Sequence, residues 1–352
     1  MSKRNRAFTL VELLLVIAVL FVLVGLLVVS LRGARNAANR TESSNALRQM
    51  MAGYSAYSAD NRQTLMPGYV DGSLIGDLPV QINLRPRMAD GERLASVNDL
   101  SSYVWRLAPY LDHEWRTMMI DYRNPSLLIQ LEQEYSQGTF GPGTTNTVPS
   151  EARIGIASVP SFGLNSIFVG GDSSHGGANV WINSPFRNPP PQRLAAQRLS
   201  EVRNPSQLIV FGPVAAASDQ DLQPGEIDPY LRQVKSSWIG YPELRAPAIV
   251  SNADWSCWSK HQWQLGDKGR VAWGTAVADG FRTSGVPGTL PVGVGGLPIV
   301  RWGTTQYPVG HLDGSTEMTD LAAIAADMRR WSPFVTGIDA PLMGAYGGAC
   351  PP

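Results

Sequence analysis

Cysteine is almost missing from this chain of 352 residues: only Cys257 and Cys350 occur. They form no Cys-x-x-Cys pair, so a zinc framework built on cysteine has no support. The four histidines, His113, His175, His261 and His311, fall in no His-Glu-x-x-His helix, which leaves the usual metalloprotease arrangement without a carrier. Net charge is missing too. Lys+Arg and Asp+Glu both number 29, so no basic excess points to nucleic acid and no acidic block marks an interaction tail. Lysine is confined to Lys3, Lys235, Lys260 and Lys268, and arginine fills the other basic positions. No Gly-x-Ser-x-Gly elbow is present. Ser173-Ser174-His175 are neighbours in sequence, whereas a triad needs a base and an orienting acid placed in space. Enzymatic chemistry is therefore not expected. No internal repeat is found.

Proline is absent before Pro67 although 26 occur in the chain. The first 60 residues can therefore form one continuous helix, interrupted only by the tolerable Gly25 and Gly33. The remainder, rich in Pro and Gly, must carry turns and loops.

The longest apolar run begins at Phe8 and ends at Leu31, with Glu12 as its one charge and Arg32 directly after it. As a helix it spans about 36 Å, enough to cross a hydrocarbon core of about 30 Å. A secretory signal has an apolar core of about 7–15 residues closed by a small-residue cleavage site, and this run is longer. A plain signal anchor leaves Glu12 as an unexplained cost of roughly 2.5–3.5 kcal/mol. Lys3, Arg4 and Arg6 precede the run, and Arg32, Arg35, Arg40 and Arg48 follow it. The positive-inside rule is nearly silent on orientation.

The segment Ala7-Phe8-Thr9-Leu10-Val11-Glu12, behind a short basic leader, resembles the N-terminus of type IV prepilins and type II secretion pseudopilins. The resemblance implies cleavage by prepilin peptidase between Ala7 and Phe8, N-methylation of Phe8, and Glu12 as the fifth residue of the mature chain. It also implies a leader in the cytoplasm, a single pass through the bacterial inner membrane, and a headpiece in the periplasm or outside the cell. The family prefers Gly before the cut, where this chain has Ala7.

The expected division is a leader at 1–7, a transmembrane helix at 8–31, an amphipathic continuation at 32–60 and a headpiece at 61–352. In the continuation, Ala37, Thr41, Ser44, Leu47, Met51, Tyr54 and Ser58 recur at three- and four-residue steps and form one face. Asp60-Asn61 and Pro67-Gly68 read as the stop. Asp99 to Ser102 can start a helix with Tyr103, Leu107, Tyr110 and Leu111 on its apolar face and Pro109 as a boundary. Ser126–Tyr135 is a second short helix. Strands are expected at Arg153–Val159, Ser166–Val169, Asn179–Ile182, Leu208–Phe211, Arg270–Ala276, Ile299–Trp302 and Tyr307–His311. A last helix, Thr319–Trp331, should follow the Asp313-Gly314 turn. Asn204-Pro205-Ser206 and Gly310-His311-Leu312-Asp313-Gly314 resemble segments of large prepilin-like headpieces, with Ser315 where those usually carry a His. The expected fold is α+β: a long N-terminal helix packed on an antiparallel sheet.

No cofactor is expected, with calcium as the one candidate ion. Two acidic groups bear on it: Asp219, Asp221, Glu226 and Asp228 around Pro224-Gly225, and Asp313, Glu317 and Asp320. Calcium wants six to eight oxygens, and neither group has EF-hand spacing. Major pseudopilins hold calcium near the C-terminus, which the second group resembles loosely; a solvated loop and a helix-start cluster of acids are the alternative. The resemblance also points to a C-terminal disulfide, Cys257 to Cys350, which would close a loop of about 93 residues and contribute roughly 4–5 kcal/mol in the chain-entropy model; two separate buried thiols are the alternative. Trp255, Trp258, Trp263 and Trp273 gather around Cys257 as core residues or as a surface for sugar or secreted cargo.

By this reading the chain is a structural subunit of a type IV pilus-like or type II secretion filament, with a head large enough for a minor subunit. Its partners are prepilin peptidase, other pilin or pseudopilin subunits and the inner membrane, with secreted cargo or polysaccharide as further candidates. The alternative is a membrane-anchored binding protein that never polymerises.

Overall fold

A computed structural model describes residues 10–68, 102–112, 114–119, 156–157, 160–166, 168–171, 195–215, 243–244, 249–250, 258–259, 263–266, 270–273, 297–298 and 306–333. It shows an α+β fold in which one long helix lies against an antiparallel sheet.

Helix α1 runs without a break from Leu10 to Asp60, 51 residues. At 1.5 Å per residue this is a rod of about 77 Å. It ends where Arg62 and Gln63 adopt φ of 55° and 61°, the left-handed region, and the Asn61 amide closes back on Tyr57 O at 3.0 Å. From Leu10 to Arg35 the described side chains are exposed, including Leu13, Phe21 and Leu31. Burial begins at Ser43 and continues through Ala46, Leu47, Met50, Met51, Tyr54, Tyr57 and Ser58. The packed stripe thus starts later than the expected Ala37 and Thr41, which stay exposed, and it is wider. The head reaches the helix only over its last five turns, and there it covers a broad face.

The main sheet has the order β1-β2-β8-β9. Strand β1 is Phe162–Leu164, β2 is Ile209–Ala215, β8 is Gln306–His311 and β9 is Thr316–Asp320. All neighbours are antiparallel, and the two-residue β7, Leu297–Pro298, pairs with the end of β2. A register shift between Ile209 and Phe211 bends β2. Two separate ribbons are formed by β3 (Ile249–Val250) with β4 (Trp258–Ser259) and by β5 (Trp263–Gly266) with β6 (Arg270–Trp273). Helix α2, Tyr103–Leu107, starts on the Ser102 hydroxyl, which accepts from Val104 N. It passes into a 3-10 turn at Ala108–Leu111 with Pro109 in its first positions, and a second 3-10 turn follows at Trp115–Met119. Helix α3, Leu321–Ala326, is capped by Asp320 and leads to a 3-10 turn at Met328–Arg330.

Four expectations need correction. The last helix does not begin at Thr319, because Thr316–Asp320 forms edge strand β9 and the helix starts after it. The strand expected at Ser166–Val169 lies earlier, at Phe162–Leu164, and Ser166 and Val169 instead form a turn and an isolated bridge. Ile156 and Ala157, inside the strand expected at Arg153–Val159, are helical. The strand expected at Leu208–Phe211 begins one residue later and runs on to Ala215, because β2 must span partners on both sides. Strands at Asn179–Ile182 and Ile299–Trp302 and the helix at Ser126–Tyr135 lie outside the described residues.

The core sits between α1, α2 and the sheet. Leu47, Met50, Met51 and Tyr54 of α1 meet Phe211, Tyr307 and Val309, all essentially inaccessible. Burying each such side chain contributes about 1.5–3 kcal/mol. The aromatic rings interlock edge to face. Tyr54 and Phe211 stand 5.7 Å apart at 86°, and Tyr57 and Tyr110 stand 5.7 Å apart at 80°. Gly310 of β8 packs directly on the helix at Met51 and Leu47. A Cβ there would lie 2.6 Å from Met51 Sδ.

Candidate functional site: the stem helix and its junction with the head

The stem is built in two halves by one helix. Glu12 stands in its first turn, exposed, among Leu10, Val11, Leu13 and Leu14, also exposed. Ala7 and Phe8 lie outside the described residues. Among the described residues α1 is the one helix long and apolar enough to cross a membrane. Its apolar stretch is uncovered by the head, as a segment meant for lipid or for other helices must be.

The junction is held by polar contacts as well as by the core. The Tyr54 hydroxyl accepts from Met66 N at 3.1 Å and so ties the helix to the chain leaving it. Burial pushes the Tyr54 phenol far above its ordinary value. Burial likewise pushes Tyr57 up to about 12, although the Arg106 charge acts against it. Arg106 is 2% exposed, and its guanidinium donates to Pro67 O and Gly68 O. The sequence reading missed Arg106. Its signal is an arginine set between Trp105 and Leu107 in an otherwise apolar turn. Asn165 was missed too. It is fully buried and donates to Ile209 O at 2.9 Å and Trp331 O at 3.0 Å, joining β2 to the end of the described chain.

The β8–β9 hairpin presents the second acidic group. Residues 311 and 315 close its loop through His311 N to Ser315 O at 2.8 Å, with Gly314 at φ +90°. Asp313 Oδ1 accepts from Ser315 N at 2.9 Å and Ser315 Oγ at 2.6 Å. Partial burial raises the Asp313 carboxyl, but these bonds and the nearby His311 bring it below its ordinary value. Glu317 Oε2 meets His311 Nε2 at 3.1 Å and Arg330 Nη1 at 3.1 Å. Burial opposes ionisation of Glu317, but the Arg330 charge and the contacts with Arg330 and His311 together outweigh it, so its carboxyl also titrates low. Asp320 is occupied elsewhere, capping α3 through Ala322 N at 2.7 Å. Asp313, Glu317 and Asp320 are therefore each engaged by different partners. Among the described residues no group of three His, Cys, Asp or Glu is placed to hold a metal. The first acidic group, around Pro224-Gly225, lies outside the described residues, as do Cys257 and Cys350.

In the tryptophan-rich region the backbone sets Trp263 opposite Trp273 across the β5–β6 ribbon and places Trp258 on β4. Trp255 lies outside the described residues.

Residues 2–28 match a family model described as the prokaryotic N-terminal methylation motif. No curated protein and no solved structure matches the chain. The matched segment holds Ala7, Phe8 and Glu12 and runs into the exposed half of α1, whose other half carries the head. This segment is thus similar to the N-terminal methylation segment of prepilin-like proteins, and one unbroken helix joins it to the head.

Proposed function

We propose that this chain is a large-headed, minor structural subunit of a type IV pilus-like or type II secretion filament, without enzymatic activity. Prepilin peptidase cuts between Ala7 and Phe8, and the new Phe8 amine is methylated. The helix anchors the chain in the inner membrane with the leader inside and the head outside until assembly draws it into a filament. The observation that carries this reading is the methylation motif joined to one unbroken helix that is bare from Leu10 to Arg35 and covered by the head from Ser43 onward.

Registry follows from electrostatics. Inside a filament the bare helices pack on one another and exclude water. A carboxylate buried there without a partner costs several kcal/mol. Glu12 of one subunit meets the cationic Phe8 amine of its neighbour, and the pair favours one stagger between subunits.

The test is mass spectrometry of the mature N-terminus in cells with and without the prepilin peptidase. A methylated Phe8 that requires the peptidase supports the reading. An intact Met1, or a cut near Ala34, refutes it and favours an anchored binding protein. Glu12→Ala should still insert in the membrane but should leave the filament fraction. Normal incorporation of that variant would count against the registry mechanism.

A further inference from the structure

Between the end of the apolar run at Leu31 and the first buried residue at Ser43, α1 continues as an exposed to half-buried spacer of about 18 Å. Three of its cations are Arg32, Arg35 and Arg40. Positions i±3 and i±4 from each hold no acid: Val28, Val29, Asn36, Ala38, Asn39, Ala37, Ser43 and Ser44 are the neutral neighbours. Arg32 and Arg35 are instead a like-charged pair at i, i+3, which disfavours the helix slightly. Among the described residues none of the three makes a salt bridge. Glu42, the nearest acid, lies two residues past Arg40 and so off its face of the helix. Arg48 is occupied by Thr316 Oγ1 and Asn45 Oδ1.

Arg32 and Arg40 share a side, and Arg35, seven residues before the exposed Glu42, lies next to it. Arg40 stands seven residues before the buried Leu47, and Arg32 stands seven before Asn39, itself seven before the buried Ala46. Seven residues are almost two helical turns, so this is the head-bearing face, below the head. Side chains on a helix lean toward its N-terminus, and here the N-terminus is the membrane end. Arg40 shows that lean: its Nε donates to Asn36 O, one turn nearer the apolar run, at 3.4 Å.

We propose that Arg32, Arg35 and Arg40 form a collar that binds the headgroups of anionic phospholipids in the leaflet beneath the head. The inference rests on the membrane-spanning reading of α1. A headgroup phosphate supplies the anion that the helix itself does not, and the guanidinium fork matches its oxygens. Each arginine near an anionic surface should raise the preference for it roughly fivefold. The collar thereby fixes how deep the stem sits before assembly and holds the head a set distance above the bilayer.

The test uses the full chain. Flotation with phosphatidylcholine vesicles comes first. Native mass spectrometry in neutral detergent with equimolar phosphatidylglycerol and phosphatidylcholine follows. The chain should float with the vesicles and should carry phosphatidylglycerol adducts in at least roughly tenfold excess. R32Q/R35Q/R40Q should still float, should keep the head's denaturation midpoint, and should bind the two lipids almost equally. R32K/R35K/R40K should keep most of the preference, and K3Q/R4Q/R6Q should not remove it. A chain that floats but shows no preference, or a glutamine variant that retains it, overturns the collar alone. A glutamine variant that keeps its lipid preference but loses self-association would assign the arginines to a neighbouring subunit's carboxylates, and would also overturn it. A chain that fails to float overturns the membrane-spanning reading, and the collar with it.

Discussion

Gly310→Ala tests how tightly the head is set on its stem. The added methyl would stand 2.6 Å from Met51 Sδ and 2.7 Å from Met51 Cγ, closer than carbon atoms tolerate, and 3.4 Å from Leu47 Cδ1. Met51 is fully buried, so its side chain must shift within the core to make room. Overpacking of this kind costs about 1–3 kcal/mol. Met51→Ala alone leaves a cavity and costs about 2–5 kcal/mol. It also removes both of the atoms that the new methyl would strike. In that background Gly310→Ala should cost almost nothing, because the surviving Leu47 contact is ordinary van der Waals contact and the variant fills part of the cavity. The two substitutions should therefore couple by about 1–3 kcal/mol. Urea denaturation of the full chain in mild detergent, followed by tryptophan fluorescence, measures all four corners of the cycle. An unchanged m-value would show that stability, not the denatured state, has moved. Costs that add to within about 0.5 kcal/mol would refute the claimed contact between strand β8 and helix α1. So would a neutral Gly310→Ala in the otherwise native chain.

Two further predictions concern pH. Burial raises Tyr57 to about 12, and Tyr54 further, above the ordinary phenol value of 10.0. Their neutral phenols stabilise the fold below pH 10 and that contribution is lost as pH rises through the folded values. A spectrophotometric titration should show these two among the 11 tyrosines ionising late, with unfolding, and Tyr57→Phe should remove one late step; reversible ionisation of every tyrosine near 10 would refute their burial. At the acid end, Asp313, Glu317 and Asp327 have folded values below 3.8, 4.5 and 3.8 respectively. Their contribution is present above those values and lost as pH falls through the folded ones. Glu317→Gln should flatten the fall of the urea midpoint on acidification, and an unchanged slope would show that the His311 and Arg330 contacts contribute nothing.

The stem was legible because the features that make it act over many residues at once. A proline-free stretch, an apolar run of membrane length and a single carboxylate at its mouth all agree, and nothing tertiary competes with them. Its end at Asp60 was legible for the same reason. The buried face of the second half was less so, since Ala37 and Thr41 continue the helical spacing of Leu47 and Met51 but extend below the point where the head begins. Periodicity shows which residues share a side and is blind to where a partner stops. Strand β9 shows the opposite difficulty. Thr316-Glu317-Met318-Thr319-Asp320 has little apolar alternation because it is an edge strand, largely exposed. Its strand character comes from pairing with β8, not from its own composition. Strand β1 was placed too late because Gly163 interrupts Phe162 and Leu164. That glycine is required by the fold: a Cβ there would lie 2.5 Å from the Glu243 carbonyl oxygen.

The same distinction separates the parts of the site. On the proposed function, Ala7, Phe8 and Glu12 are read by a peptidase, a methylating activity and neighbouring helices as a linear segment, so sequence alone carries them. Arg106 and Asn165 act across distance in the chain. One holds the residues leaving the stem and the other holds β2 to Trp331, and neither role has a local pattern. The arginine collar falls between these cases. Its charges are plain in the sequence, but after an apolar run they read only as an ambiguous orientation signal. Two structural facts give them a place. Among the described residues full burial on the helix begins at Ser43, and Arg32 and Arg40 lie on the side where the head will sit. A cation on that side, leaning toward the membrane and with no acid on its own face of the helix, has the headgroup layer of the proposed membrane-spanning state as its nearest source of negative charge.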